Sequence, residues 1–306
     1  MKTTVSVHEL KQLLTTGSVC LIDVLLPEDF ADRHIPGAGS ACVYEMVFLD
    51  RVAECVPDRD RAIVVYDESG TTLTARTAKE KLESAGYGNV AILEGGLQAW
   101  RAAGYPLEPA VSTDRSAVAD DGVYIVDVVN SVVEWNGRNI NNRHHGRIQI
   151  SEGKVTLENG RPKSGHFVLD MKTITNLDLQ DETWRNMLLR HLMSDDFFDV
   201  ERFPFVTFEL RGAAAIAACT PGTPNMEIAG VLTIKDSAHP ICFPAIFAIQ
   251  EDGSLKAQAT FGFDRTLWNV CYGSGKLYER LGMHLVNDFV SVDLFLIARK
   301  PGIAAC

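Results

Sequence analysis

The chain has 306 residues, 46% of them hydrophobic and 23% charged, which is the composition of a globular protein with room for two domains. Its net charge of −11 speaks against a nucleic-acid or anionic-membrane partner, since phosphate would be repelled. The alternation of its apolar residues changes character after position 121.

Residues 6–14 read as a short helix capped at Ser6. Unbroken apolar runs at 19–25, 62–67 and 89–95 have the pattern of parallel strands buried on both faces. Between the last two, 74–85 reads as a helix with apolar positions at Ala78, Leu82 and Ala85, stopped by Gly86. A further helix at 97–103 ends at Gly104 and Pro106. The order is βαβα, hence an α/β domain with a parallel sheet over 1–108. Residues 109–121 are small, polar and aperiodic, and read as a linker.

From 122 to 306 short segments alternate apolar and polar residues, among them VYIVDVV, GRIQISEG, GKVTLENG, FVTFEL and VSVDLFLIA. Glu152-Gly153, Asn159-Gly160 and Asp252-Gly253 read as turns between them. The result is an all-β antiparallel barrel or sandwich. One helix interrupts it at 181–193, with Trp184, Leu188, His191 and Leu192 on the face that covers one end of the barrel.

Seven cysteines, an odd number without a CxxC pair, read as reduced thiols and not as a disulfide framework or zinc ribbon. The opening residues lack the apolar core of a signal peptide, and no apolar run is long enough to span a bilayer. A cytoplasmic location is the expectation.

Three ordered motifs in 1–108 carry a resemblance to the rhodanese family: LIDVLLPEDFADRHIPGA at 21–38, IVVYD at 63–67 and AGYGNVAILEGGLQAWRAAGYPLE at 85–108. In that family the strand equivalent to IVVY ends in a cysteine. A loop of backbone N–H groups and a helix dipole lower its pKa and hold the anionic persulfide. Asp67 stands at that position, followed by Glu68, Ser69, Gly70, Thr71 and Thr72 with no cysteine and no basic residue. Sulfurtransferase activity is therefore not expected, and the domain reads as a recognition or regulatory module. Asp67 itself reads as a loop-capping or solvent-facing residue and not as an aspartyl nucleophile, because no metal-ligand cluster or phosphate loop lies beside it.

The second part resembles the YceI-like, polyisoprenoid-binding family through SVVEWNGR, HHGRIQISEGKV, GHFVLDMKTI, FDRTLWNVCYGSG and above all LLRHLMSDDFFDVERFPFVTFEL at 188–210. The resemblance implies a lipocalin-like barrel around an isoprenoid or fatty chain. From the residues alone, the many aromatic side chains either fill the barrel or line a cavity. The candidate lining residues are Trp135, Phe167, Trp184, Phe197, Phe198, Phe208, Phe247, Phe263 and Trp268. Adjacent His144 and His145 point to opposite faces of a strand and cannot share a metal; His166, His191 and His284 could converge with one of them, but with no HxH or HxxxH spacing they read as ordinary hydrogen-bonded histidines and no metal site is expected. Asp264-Arg265 reads as a structural ion pair or a polar contact at the rim.

The expected function is a carrier for a long-chain isoprenoid, quinone-like or acyl molecule, with no other cofactor and with a protein partner engaged through the rhodanese-like domain. One alternative is a sulfur or redox enzyme using Cys42, Cys55 or Cys271; another is a ligand-free interaction protein.

Overall fold

The computed structural model describes residues 3–109, 121–250 and 252–301. It contains two compact units, Met1–Asp114 and Arg115–Cys306, each with its own core. Apart from its two end residues, the linker expected at 109–121 lies outside the described residues.

The first unit is built on five parallel strands: β1 (Thr4–Val5), β2 (Cys20–Asp23), β3 (Gly39–Ser40), β4 (Ile63–Tyr66) and β5 (Val90–Leu93), in the order β1-β5-β4-β2-β3. Alternate side chains go to opposite faces. Ile22, Ile63, Val65 and Val90 join one core, while Leu21, Val64, Tyr66 and Leu93 join another, which is why these strands are apolar throughout. Helix α1 (Val7–Thr15) starts on a capping box, in which Ser6 accepts from the Glu9 N–H and Glu9 answers the Ser6 N–H. Helices α2 (Pro27–Asp32) and α3 (Phe48–Cys55) escape the sequence reading; no residue of α2 is buried, and α3 is two turns long with only Phe48 and Val52 buried, too short a stretch to establish a period. Helices α4 (Thr74–Ser84) and α5 (Gly96–Ala102) lie where expected.

The second unit is a closed antiparallel barrel with β6 (Gly122–Val126), β7 (Val132–Arg138), β8 (Arg143–Glu158), β9 (Arg161–Asp170), β10 (Phe205–Ala215), β11 (Met226–Ile234), β12 (Ser237–Ile249), β13 (Leu255–Asp264) and β14 (Phe289–Arg299). These nine strands fill eight positions, because β6 and β7 succeed one another between β8 and β14. Asp127 makes the break by accepting the Val129 and Asn130 N–H groups, so VYIVDVV is a strand plus a turn.

Glu152-Gly153 is not a turn. Strand β8 runs through it for 16 residues, with a bulge between Ile150 and Glu152 that resets the alternation and keeps Ile150, Val155 and Leu157 inside. Gly153 is needed for space: a Cβ there would lie 2.6 Å from Val126 Cγ2 and 3.2 Å from Phe167 Cδ1. Asn159-Gly160 does turn, both residues at positive φ.

Helix α6 (Glu182–Met193) lies between β9 and β10 in sequence, and its C-terminal half packs Leu188, Leu189 and Leu192 with Met171, Ile174, Phe197 and Trp268 in a second core at one end of the barrel. No helix among the described residues is long and apolar enough to cross a membrane.

Candidate functional site

Inside the barrel is a cavity of about 360 Å³, within the range of small-molecule sites. Its middle is a belt of phenyl rings contributed by β9, β10, β12 and β13. Phe167 and Phe208 lie 6.1 Å apart, Phe208 and Phe243 5.8 Å, and Phe243 stacks on Phe261 at 4.1 Å. Inward glycine makes room for one of these rings, since a Cβ on Gly230 would lie 2.4 Å from Phe208 Cζ. Valine, leucine, isoleucine and alanine from the other strands complete a wall that offers a ligand almost only carbon.

The strand ends define where the cavity opens. Residues 139–142, 171–204, 235–236 and 265–288 connect strands at one end; 159–160, 216–225 and 250–254 connect them at the other. The cavity wall includes Asn139, Asn142, Met171, Ile174, His191, Val270, Tyr272 and Val286 from the first set, Asn142 being exposed, and nothing from the second. The mouth is therefore at the α6 end.

Of the candidate residues, Trp135, Phe167, Phe197, Phe198, Phe208, Phe247 and Phe263 line the cavity. Two do not. Trp184 is 61% exposed, one turn before the stretch of α6 that meets the barrel. Trp268 is buried in the cap, its indole N–H donating to the Leu232 carbonyl at 2.9 Å and its ring edge-on to Phe263. Phe243 and Phe261 are missing from the sequence-based set; their inward alternation with Ala245 and Ala259 was the available signal.

Polar groups gather at the mouth end. Arg265, 3% exposed, is not paired with Asp264, which binds Lys276. Its guanidinium donates to the carbonyls of Val270, Tyr272 (2.8 Å), Val286 (3.1 Å) and Asn287 (3.0 Å), tying residues 270–287 to the barrel. Burial lowers its pKa, opposed by the charge of Asp288. His144 and His145, expected on opposite faces, both reach Asp178, at 2.8 and 3.5 Å, because the chain near 175–177 runs across the end of β8 and bonds its backbone there. Burial works to raise the Asp178 carboxyl, but the His145 N–H, His144 and Asn176 outweigh it and hold it below the ordinary range. His191 packs edge-on to Tyr272 and Phe197. Among the described residues no three His, Cys, Asp or Glu side chains gather as metal ligands.

In the α/β unit, Asp67 is 1% exposed and therefore not solvent-facing. Its carboxylate accepts from the Gly70 N–H at 2.5 Å, the Thr72 hydroxyl at 3.0 Å and the Ala75 N–H, at the start of α4, at 3.3 Å. The Asp67 and Glu68 carbonyls accept the Leu97 and Gln98 N–H groups of α5, both at 2.9 Å. That close packing explains the Gly95-Gly96 pair, since a Cβ on Gly96 would sit 2.3 Å from the Asp67 carbonyl oxygen. None of the described cysteines is in this loop; Cys42 is fully buried, Cys55 exposed and Cys271 half-buried.

Asp23, at the end of β2 beside Tyr66 of β4 and wholly buried, has one carboxylate oxygen without a hydrogen-bond partner. Burial pushes its pKa up to about 6, against the Leu25 N–H, the neighbouring Tyr66 hydroxyl and the charge of His34.

A closed barrel with an apolar interior cavity defines a lipocalin-like, ligand-binding class of domain, here accompanied by an α/β domain. The profile of the YceI-like domain matches residues 124–298, more than half of the chain, and the chain belongs to that family. The Rhodanese-like domain profile matches residues 6–103. Among curated proteins, a UPF0312 protein of Pseudomonas putida (strain W619) is 27% identical over 105 residues, 34% of this chain and 48% of its own length. The HTH-type transcriptional regulator Rv0324 of Mycobacterium tuberculosis is 36% identical over 100 residues, 33% of this chain and 42% of its own length. The chain thus spans less than half the length of these relatives. Of solved structures, Burkholderia cenocepacia BcnA is 23% identical with a TM-score of 0.45, covering 56% of this chain and 98% of that one. A polyisoprenoid binding domain from Saccharophagus degradans is 11% identical with a TM-score of 0.42, covering 58% and 98%.

Proposed function

We propose that the barrel carries one long apolar chain, of isoprenoid, quinone-like or acyl type, and that the rhodanese-like domain serves it as a non-catalytic recognition or regulatory module. The observation that carries this reading is the aromatic-belted cavity of about 360 Å³ whose wall takes in connections at the α6 end. Transfer of a chain into it is favoured by about 0.8 kcal/mol per buried methylene. A polar head would be left at the mouth, beside His144, Asn142 and Arg265.

The Asp67 loop supports the second half of the reading. A sulfur-carrying loop must aim its N–H groups at an external anion, whereas here the Gly70 and Ala75 N–H groups are taken up by the protein's own carboxylate. A second anion at that place would meet a negative charge.

Mass spectrometry of organic extracts from gently purified full chain tests the carrier role. A discrete long-chain molecule, absent when Ala257 on the cavity wall is changed to Phe, is expected. Protein that takes up neither a native lipid nor a fluorescent long-chain fatty acid would sink it. The loop is tested by a thiosulfate-to-cyanide assay, in which no turnover is expected; turnover abolished by one Cys→Ser change would revive the enzyme alternative.

A further inference from the structure

We infer that the mouth end of the barrel is a docking surface for a lipid bilayer, through which the cavity exchanges its ligand directly with the hydrocarbon phase. The inference rests on the carrier reading for its purpose but on separate residues for its substance.

Exposed large apolar side chains in the barrel unit are concentrated on the mouth-end connections. Ile140, at the tip of the β7–β8 hairpin, is 86% exposed; Met283 is 83% exposed; Leu177, Trp184, Leu277 and Tyr278, on the segments flanking them, are exposed as well. Away from that end, Val123 and Ile125 of β6 and Val128 and Val129 of the β6–β7 break are also exposed, but they line no opening, and the connections 159–160, 216–225 and 252–254 present none among the described residues. Apolar side chains on connections that flank an apolar opening are where an apolar partner would seat.

The opening names that partner. The rim is continuous with the cavity wall through Asn139 and Asn142, next to Ile140, and through Tyr272 and Val286, which bracket Leu277 to Met283. A long apolar chain leaving such a mouth into water would expose its methylenes in turn, whereas a mouth seated in the interface passes it from one apolar medium to another. Trp184 and Tyr278 are the amphipathic side chains favoured at headgroup depth. Charge is not the attractive force: Arg138, Arg143 and Arg280 share the rim with Glu182 and Glu279, and the whole chain carries −11. The surface therefore suits a zwitterionic bilayer, entered by apolar side chains.

Flotation of the full chain with phosphatidylcholine vesicles tests this. Wild type should float with the vesicles. The exposed double variant Ile140→Asp with Met283→Asp should lower the partition coefficient about tenfold or more. A control, Val129→Asp on the β6–β7 break, should bind as wild type does. The inference is overturned if wild type stays in the aqueous phase or if the double variant floats unchanged. It is equally overturned if the same substitutions abolish a dimer seen by sedimentation while vesicles are ignored, which would assign the rim to a second copy. Uptake of a fluorescent long-chain fatty acid without vesicles is measured alongside. Uptake without vesicle binding removes the docking and leaves the carrier; failure of both removes both.

Discussion

At the scale of single residues, the two buried carboxylates of the α/β unit make opposite predictions. Asp67 is fully served by donors, two of them backbone N–H groups. Asp67→Ala strands them and should cost about 2–3 kcal/mol in denaturant unfolding of this unit. Asp23 is under-served, and its folded pKa of about 6 lies above the ordinary 3.8. The folded state therefore holds this proton more tightly than the unfolded one. Its contribution is fully present below about pH 4 and is lost as pH rises through about 6. Asp23→Asn should remove that slope, leaving the variant more stable than wild type by about 2 kcal/mol near pH 7.5 and about equal near pH 4. Urea titrations at the two pH values measure it; a wild-type advantage at the higher pH would show the carboxylate to be stabilised in the folded state. Asp67 was legible in the sequence as a charged residue at a loop mouth. Its inward turn was not, because that depends on α4 bringing the Ala75 N–H to it.

At the scale of elements, cavity and cap are set by small residues on strands and by one arginine. A valine on β11 in place of Gly230 drives its branches into the Phe208 ring or the backbone beside it. Gly230→Val should cost about 1–3 kcal/mol and weaken uptake of a fluorescent long-chain fatty acid. Arg265→Lys exchanges a planar fork on four carbonyls for an ammonium with three donors. Residues 270–287 should then gain hydrogen exchange while the barrel strands keep their protection. Equal exchange in the variant and wild type would show that the segment holds without the fork. Period-two alternation announced most of the barrel strands. It misread Glu152-Gly153, because a glycine required for internal space is spelled like a glycine required for a turn.

At the scale of the whole molecule, two units with separate cores imply separate responses to ligand. An occupant of the barrel stabilises that unit by mass action and leaves the other alone, so saturating long-chain ligand should raise one thermal transition only. The barrel's transition should rise by several degrees in calorimetry of the full chain, with the α/β transition unmoved. A shift of both together would mean that the two cores unfold as one.

By itself the sequence determined the two fold classes, the parallel and antiparallel sheets, the helix caps and the resemblance to two families, because alternation, capping residues and ordered motifs are local records of burial. Only the tertiary structure decided which aromatics face inward, since Trp184 and Trp268 fit the same patterns as their neighbours yet lie outside the cavity on α6 and in the cap. It also decided which end is the mouth, and that Arg265 ties down a segment and does not pair with Asp264. Each of these depends on where distant strands and connections meet when the barrel closes, which is a matter of register and volume that no single segment carries.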